Sequence, residues 1–159
     1  MGMKKISFII IGLLLTSLAF SQKYIGKEKT VTANAKLNEL YCSGLFKSEE
    51  GTILDVANDN SIKGYLNILD WLKGRVAGVQ IYYTKWGTPV PFIRNQRAVV
   101  FIDEMQVDAS ALNSLPVGDV AMIKVIKQPF LGSVANGGAI AVYTFKADEK
   151  DEEPAVAKN

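Results

Sequence analysis

The sequence predicts an α/β fold of the α+β kind, in which a small mixed β-sheet is accompanied by short helices. Three observations lead to this prediction. Apolar residues between positions 61 and 78 recur at the spacing of one helix face, and several of the runs after them alternate or are rich in β-branched residues, as strands are. Glycine or proline turns separate these runs.

The helix is predicted to begin at Ser61, whose side chain suits an N-cap. It should end at Gly74 or Gly78, because glycine accepts the left-handed conformation of a helix end without a Cβ clash. The strand "VQIYY", residues 79–83, follows at once. The apolar face of this helix has the spacing i, i+3, i+4, i+7 and i+11 and consists of Tyr65, Ile68, Leu69, Leu72 and Val76.

Two more strands are predicted before residue 105. The first, residues 90–95, follows a turn marked by Gly87 and Pro89. The second, "AVVFIDE" at residues 98–104, is a continuous β-branched and aromatic run, which is typical of a strand buried on both faces. We therefore predict that residues 98–104 lie at the centre of the sheet.

The last part of the domain is predicted to hold a short helix and two strands. Asp108 is the expected N-cap of two helical turns that stop at Pro116. Residues 119–127 and 138–145 are the strands. Residues 98–104, the helix and residues 119–127 would form a βαβ unit, so we expect those two strands to be parallel, with a right-handed crossover.

The first 21 residues have the pattern of an export signal. Lys4 and Lys5 precede an apolar run that ends in small residues, and cleavage is expected before Gln22. A membrane anchor is the alternative, but the run is shorter than the about 20 residues that a spanning helix needs.

The mature chain is expected to have three parts. Residues 22–60 read as a polar N-terminal arm with a short strand at residues 52–56, and residues 61–146 as the organised domain. Residues 147–159, rich in acidic side chains, read as a disordered tail.

Composition excludes several classes of function. Lys4 and Lys5 account for the net charge of +2, so the mature chain is neutral, and it has no basic cluster of the kind that binds nucleic acid. The chain has no histidine, which excludes Ser-His-Asp and Cys-His catalysis and histidine-ligated metals. We expect no enzymatic activity, cofactor or metal. Cys42, the single cysteine, is expected to be a buried or free thiol rather than a crosslink to a partner.

Five blocks of the sequence, in order, resemble the plug domain of TonB-dependent outer-membrane receptors. The blocks are "LDWLKGRVAGVQI" (69–81), "FIRN" (92–95), "AVVFIDE" (98–104), "LNSLPVGDVAMIKVIK" (112–127) and "GSVANGGAIAVYT" (132–144). The resemblance implies a mixed α/β plug that acts with a TonB-type energising protein. The signature positions that carry over are Leu72, Gly74, Arg75, Gly78, Arg94, Asp103, Lys127, Asn136 and Gly137.

The chain departs from the family at three glycines, which are replaced by Asn95, Glu104 and Gln128. The backbone shape at those three turns is therefore open. The barrel is also missing, since a plugged 22-stranded barrel needs upward of about 200 residues in strands alone. We expect a stand-alone plug domain.

Two groups of residues are candidates for contact with a partner. "EKTVTA", with Glu28 and Val31, faintly resembles the segment that adds to TonB as a strand, although an ordinary disordered arm is the simpler interpretation. Tyr82, Tyr83 and Trp86 could form an exposed aromatic patch.

Two arginines and two adjacent acidic residues are candidates for a binding or catalytic role. Arg75 and Arg94 could bind an anion, but pairing with Asp70 or Asp103 is the favoured interpretation. Asp103 and Glu104 should point to opposite faces of a strand and so cannot share a substrate proton.

The first functional hypothesis is a non-catalytic exported protein of a Gram-negative cell, in the periplasm or at the outer membrane. It would act by contact with an envelope protein, either an outer-membrane barrel or a TonB-type energiser, and would meet the membrane only through that partner. The alternative is a periplasmic carrier of a small ligand such as an iron chelate or a glycan, using the aromatic residues at 82, 83 and 86. A small hydrolase is the least favoured hypothesis.

Overall fold

A computed structural model describes residues 33–130 and 137–146 of the chain. Residues from Leu37 onward belong to one compact unit; of the other unit, Met1–Lys36, only the helical residues 33–36 are described. The predicted export signal, Glu28, Val31, Asn136 and the acidic tail lie outside the described residues. Within the described ranges, no helix is both long and apolar enough to cross a membrane.

The described chain contains two sheets and a few short helices, as the α+β prediction requires. The α-helices are α1 (33–41), α2 (Gly44–Ser48) and α3 (Ile68–Leu72), and 3-10 helices cover Asn60–Gly64, Ala109–Asn113 and Val117–Asp119. The strands are β1 (Thr52–Asp55), β2 (Val79–Tyr83), β3 (Pro89–Ile93), β4 (Gln96–Arg97), β5 (Val99–Ile102), β6 (Met105–Val107), β7 (Val120–Ile126) and β8 (Ala139–Thr144).

The larger sheet has five strands in the order β1-β7-β8-β5-β6, and the smaller one has the order β2-β3-β4. In the larger sheet β5 and β8 are parallel, and every other neighbouring pair is antiparallel. The smaller sheet is antiparallel throughout. Strands were predicted correctly at residues 52–56, 79–83, 119–127 and 138–145. The strand predicted at residues 90–95 ends at Ile93, because Arg94 and Asn95 form a turn.

The larger sheet separates two apolar clusters because successive side chains of a strand point to opposite faces. Ile123 and Val125 of β7 belong to one cluster, together with α3 and the inner side of the smaller sheet. Met122 and Ile126 belong to the other, which contains Phe46 of α2. β7 is fully buried, and β8 nearly so, because both of their faces are covered.

The predicted central strand and βαβ unit are wrong. β8, not β5, lies at the centre of the larger sheet, and it separates β5 from β7, which run antiparallel. The reason is a strand that the sequence analysis missed. The chain reverses at Asp103 and Glu104 into β6 before the 3-10 helix begins, so it reaches β7 in the opposite direction to β5.

The single helix predicted from Ser61 is also wrong, since two short helices share its apolar spacing. Asp59 caps the 3-10 helix by accepting a hydrogen bond from the backbone N–H of Ser61 at 2.8 Å. The chain is then extended at Tyr65. A second cap follows, because the side chain of Asn67 accepts from the backbone N–H of Leu69 at 2.8 Å and starts α3.

The predicted boundary between the N-terminal arm and the organised domain, at residue 60, lies inside the compact unit that begins at Leu37. β1 pairs with β7 along its whole length, and Cys42 and Phe46 are buried in the apolar cluster of the larger sheet. Asp108 caps its helix as predicted by accepting from the backbone N–H of Ser110 at 2.9 Å, but the helix is 3-10.

Candidate functional site

The corner between α3 and β2 contains four of the signature positions. Leu72 is fully buried at the end of α3, and Gly74 and Gly78 have φ of +79° and +83°. Both glycines therefore adopt the left-handed conformation, as predicted. They turn the chain from the helix into the smaller sheet within a few residues.

Arg75 contacts neutral groups at this corner and forms no ion pair with any residue that the structure describes. Its guanidinium carbon lies 4.4 Å from the centroid of the Trp71 ring, a cation–π distance. The guanidinium also donates to the Trp71 carbonyl and, at 2.8 Å, to the hydroxyl of Ser61. The predicted partner Asp70 instead accepts a hydrogen bond from the hydroxyl of Tyr83. Arg75 therefore has a structural role, but the proposed pairing with Asp70 is wrong.

Asn95 and Glu104, two of the three residues at which the sequence departs from the resemblance, lie in two-residue hairpin turns with a left-handed backbone. Arg94 and Asn95, between β3 and β4, have φ of +52° and +65°. Asp103 and Glu104, between β5 and β6, have φ of +46° and +67°. Positive φ at both central residues is the signature of a type I′ turn, which glycine, asparagine and aspartate favour. The turns thus keep their shape without glycine.

The carboxylates of Asp103 and Glu104 point to different elements, but they do so from the turn between β5 and β6 and not, as was predicted, from a strand. Asp103 accepts from the backbone N–H and the hydroxyl of Thr144, at 2.9 and 2.8 Å. Glu104 accepts from the backbone N–H of Ser43 at 2.6 Å, from the Ser43 hydroxyl, and from the hydroxyl of Tyr143 at 3.3 Å. Both acids hold the turn against neighbouring segments, and Asp103 does not pair with Arg94.

Arg94 and Lys127, two signature residues from different sheets, line one open cleft of about 230 Å³. Glu50 and Thr52, at the start of β1, form another wall. Within residues 33–130 and 137–146, neither Arg94 nor Lys127 makes an ion pair. The structure therefore brings together two basic side chains that are 33 positions apart in the sequence.

The predicted aromatic patch is not one surface. Tyr82 and Tyr83 are adjacent in β2, so their side chains leave opposite sides of the strand. The Tyr82 ring packs edge-on against Phe92, with centroids 5.3 Å apart. The hydroxyl of Tyr83 donates a hydrogen bond to Asp70. Burial, the largest cause, and this hydrogen bond, the second cause, raise the pKa of Tyr83 to about 12. Trp86, in the β2–β3 turn, is 86% exposed.

Gly137 lies where the backbone of β4 comes closest to the start of β8. A Cβ atom at this position would lie 2.2 Å from the carbonyl oxygen of Arg97, far inside van der Waals contact. The signature glycine is therefore required by close packing between the two sheets.

The sequence analysis missed a buried polar cluster beneath α1 and α2. Lys124 of β7 is only 1% exposed, and its ammonium donates to the amide oxygen of Asn38 at 2.7 Å and to the carbonyl of Phe46. Burial lowers the pKa of Lys124, and burial also raises the pKa values of Cys42 and Tyr143. Positions 38, 42 and 46 are four residues apart, which is the signal that could have indicated this face. Cys42 is a buried free thiol, as predicted.

Among the described residues, no three cysteine, aspartate or glutamate side chains are grouped closely enough to hold a metal ion. The charged side chains that line the cleft are the basic pair Arg94 and Lys127 and one carboxylate, Glu50, and none of the three forms an ion pair within the described residues. The arrangement of the basic pair suits recognition of carboxylates, because guanidinium and ammonium groups form charge-assisted hydrogen bonds with them.

Comparison with solved structures finds partial likeness to two transport-related proteins. The RagAB peptide importer matches in its "closed-closed" state at 20% identity with a TM-score of 0.48, and in its "open-open" state at 21% with a TM-score of 0.49. Each match covers 62% of this chain and 12% of the importer chain. The Q482A mutant of the ferric enterobactin receptor PfeA from Pseudomonas aeruginosa, in complex with enterobactin, matches at 19% identity and a TM-score of 0.48.

The receptor match covers 61% of this chain and 18% of the receptor chain. This chain therefore corresponds to less than a fifth of the length of each of these proteins. No protein-family model matches the sequence, and no curated protein matches it.

Proposed function

We propose that the chain is an exported, non-catalytic protein that acts by contact with another protein of the cell envelope, in a process linked to TonB-dependent uptake. The order of the five plug-like sequence blocks supports this proposal, as does an α+β fold that keeps the turn geometry of the signature positions. The partner would be an outer-membrane barrel or a TonB-type energising protein. Its location would be the periplasm or the outer membrane.

The observation that carries the proposal is the basic pair of Arg94 and Lys127 in one open cleft. Arg94 and Lys127 repel each other, and neither forms an ion pair within the described part of the chain. Glu50 lines the same cleft, so these three charged side chains leave it with one excess positive charge. A carboxylate placed between Arg94 and Lys127 would accept hydrogen bonds from both. The cleft is therefore suited to receive an acidic side chain of a partner.

The expected gain from such a contact is modest, since exposed ion pairs contribute about 0–1 kcal/mol each. Charged contacts of this kind add more to partner choice and association rate than to affinity. Arg94 and Lys127 would thus select and orient the partner, while other surfaces supply the remaining binding energy.

The non-catalytic part of the proposal is supported by the roles of the two adjacent acids. Both carboxylates of the β5–β6 turn are engaged in hydrogen bonds to the backbone and hydroxyl groups of neighbouring segments. A general acid or base must be free to exchange its proton with a substrate. Asp103 and Glu104 are instead structural.

Site-specific photo-crosslinking of residues 22–159 in envelope preparations tests the proposal. A photoreactive residue at the exposed Gln128, which lines the cleft, is expected to capture one defined envelope protein, and the same residue at the exposed Lys63 is the control. The variant R94Q/K127Q should lower the yield at Gln128 by about fivefold or more. The matched variant K63Q/K73Q removes two other exposed cations and should leave the yield unchanged. Equal yields from both double variants would refute the role of the cleft.

A further inference from the structure

The smaller sheet has one buried side and one side that faces solvent. Of the inward side chains of β2 and β3, all except that of Tyr83 are buried, among them Ile81 and Ile93. The opposite side, called here the outer face, consists of Gln80, Tyr82, Val90, Phe92 and Arg97.

The outer face has an apolar centre and polar ends. Tyr82 is 54% exposed, and its ring packs edge-on against Phe92, so the two aromatic side chains form one preassembled surface. Phe92 is directly opposite both Gln80 and Arg97 in the register of the three strands. An aromatic centre with a polar rim is the usual composition of a protein-binding surface.

The charge of this sheet has one sign. Residues 79–98, which form the three strands and their turns, contain Lys85, Arg94 and Arg97 and no aspartate or glutamate. These 20 residues thus carry more positive charge than the +2 of the entire chain. All three cations are exposed. Asp108 lines the same groove as Arg97, but its carboxylate caps the following helix by accepting from Ser110.

We infer that the outer face is a docking surface for an acidic protein surface that has an apolar centre. Aspartate and glutamate side chains of the partner would meet Lys85 and Arg97, while its apolar groups cover Tyr82 and Phe92. The inference rests on the proposed function and deepens it by naming a second contact surface and the chemistry of the partner.

A protein fits this surface better than an anionic membrane does. Sequence segments that bind acidic lipids usually carry four to eight clustered lysine or arginine residues, and this sheet has three. Tyr82 and Phe92 also pack against each other instead of projecting as separate anchors.

The size of the outer face sets the expected strength of binding. Three short strands cover roughly 17 by 10 Å, which is well below the about 800 Å² that each partner buries in a stable complex. Binding through this face alone is therefore transient and sensitive to salt, because most of its charge is exposed.

The test is a titration of the ¹⁵N-labelled mature chain, residues 22–159, with a short poly-L-glutamate peptide, followed by NMR. Amide shifts are expected at Gln80, Tyr82 and Phe92, and they should disappear as salt is added. Poly-L-lysine and vesicles of phosphatidylglycerol are the comparison probes. The variant K85Q/R97Q should weaken the affinity for poly-L-glutamate by about fivefold or more, and the matched variant K63Q/K73Q should change it by less than about twofold.

The inference is overturned if the shifts are confined to the cleft of Arg94 and Lys127, or if both double variants weaken binding equally. Binding to vesicles without binding to poly-L-glutamate would replace the protein partner by a lipid surface and would also overturn it. None of these results decides the outcome of the crosslinking test of the cleft. If the crosslinking test fails but the expected shifts are seen at the outer face, the proposed role of the cleft is refuted and the docking surface remains supported.

Discussion

The carboxylate of Glu104 accepts hydrogen bonds from both the backbone N–H and the hydroxyl of Ser43, which is 61 positions away in the sequence. One side chain thus ties the β5–β6 turn to the segment between α1 and α2. The backbone of Glu104 has a φ of +67°, a conformation that residues other than glycine, asparagine and aspartate rarely adopt. The hydrogen bonds offset the cost of that conformation.

Replacement of Glu104 by glutamine is expected to destabilise the protein by about 1–3 kcal/mol, because the amide has no charge and only one acceptor oxygen for the two hydrogen bonds from Ser43. Urea denaturation followed by circular dichroism measures the change. E39Q is the control, since it removes an exposed ion pair with Lys47 and should cost less than about 1 kcal/mol. Equal losses in the two variants would contradict the proposed tie to Ser43.

Asn95 is predicted to tolerate glycine but not valine. Its φ of +65° lies in the left-handed region, which glycine enters freely and a β-branched residue enters only under strain. N95G should change the free energy of unfolding by less than about 0.5 kcal/mol, and N95V should cost about 1–2 kcal/mol. If differential scanning calorimetry shows valine to be as stable as glycine, the type I′ turn is wrong.

Arg75 is predicted to act by stacking and not by charge alone. R75A should lower the free energy of unfolding by about 1–2 kcal/mol, because the cation–π contact with Trp71 and the hydrogen bond to Ser61 are lost. R75K keeps the charge but cannot form the planar stack, so most of that loss should remain. The neighbouring K73A, at an exposed position, should have little effect. Chemical denaturation with tryptophan fluorescence reports both stability and the Trp71 environment; full stability of R75K would refute the stacking role.

Tyr83 is predicted to ionise near pH 12 in the folded protein, since burial and the hydrogen bond to Asp70 both favour the neutral phenol. The folded pKa is raised above the ordinary value of 10, so the contribution to stability is complete below pH 10 and is lost as pH rises to about 12. The difference between ultraviolet titrations of the wild type and Y83F isolates this group. D70N should lower the pKa of Tyr83, and an unchanged value would show that burial alone causes the shift.

Local chemistry allowed much of the fold to be predicted. Gly74 and Gly78 indicated where a helix must give way to a strand, and Asp108 indicated a cap, because both effects act over a few residues. The alternation and β-branching of β2, β7 and β8 were readable for the same reason.

The errors came from contacts between residues that are distant in the sequence. Nothing in the sequence around Lys124 indicates that it is buried, because its burial depends on the packing of α1 and α2 on the larger sheet. The order of strands was misjudged because β8, the last strand in the sequence, inserts between β5 and β7.

The sequence by itself determined the class of fold, the glycine corner at Gly74 and Gly78 and the absence of histidine chemistry, since these depend on local backbone preferences and on composition. Only the tertiary structure decided that Arg75 lies on Trp71, that Asp103 and Glu104 hold different segments, and that Arg94 shares a cleft with Lys127. Side-chain partners are set by the packing of whole elements against each other. No single stretch of sequence contains that information.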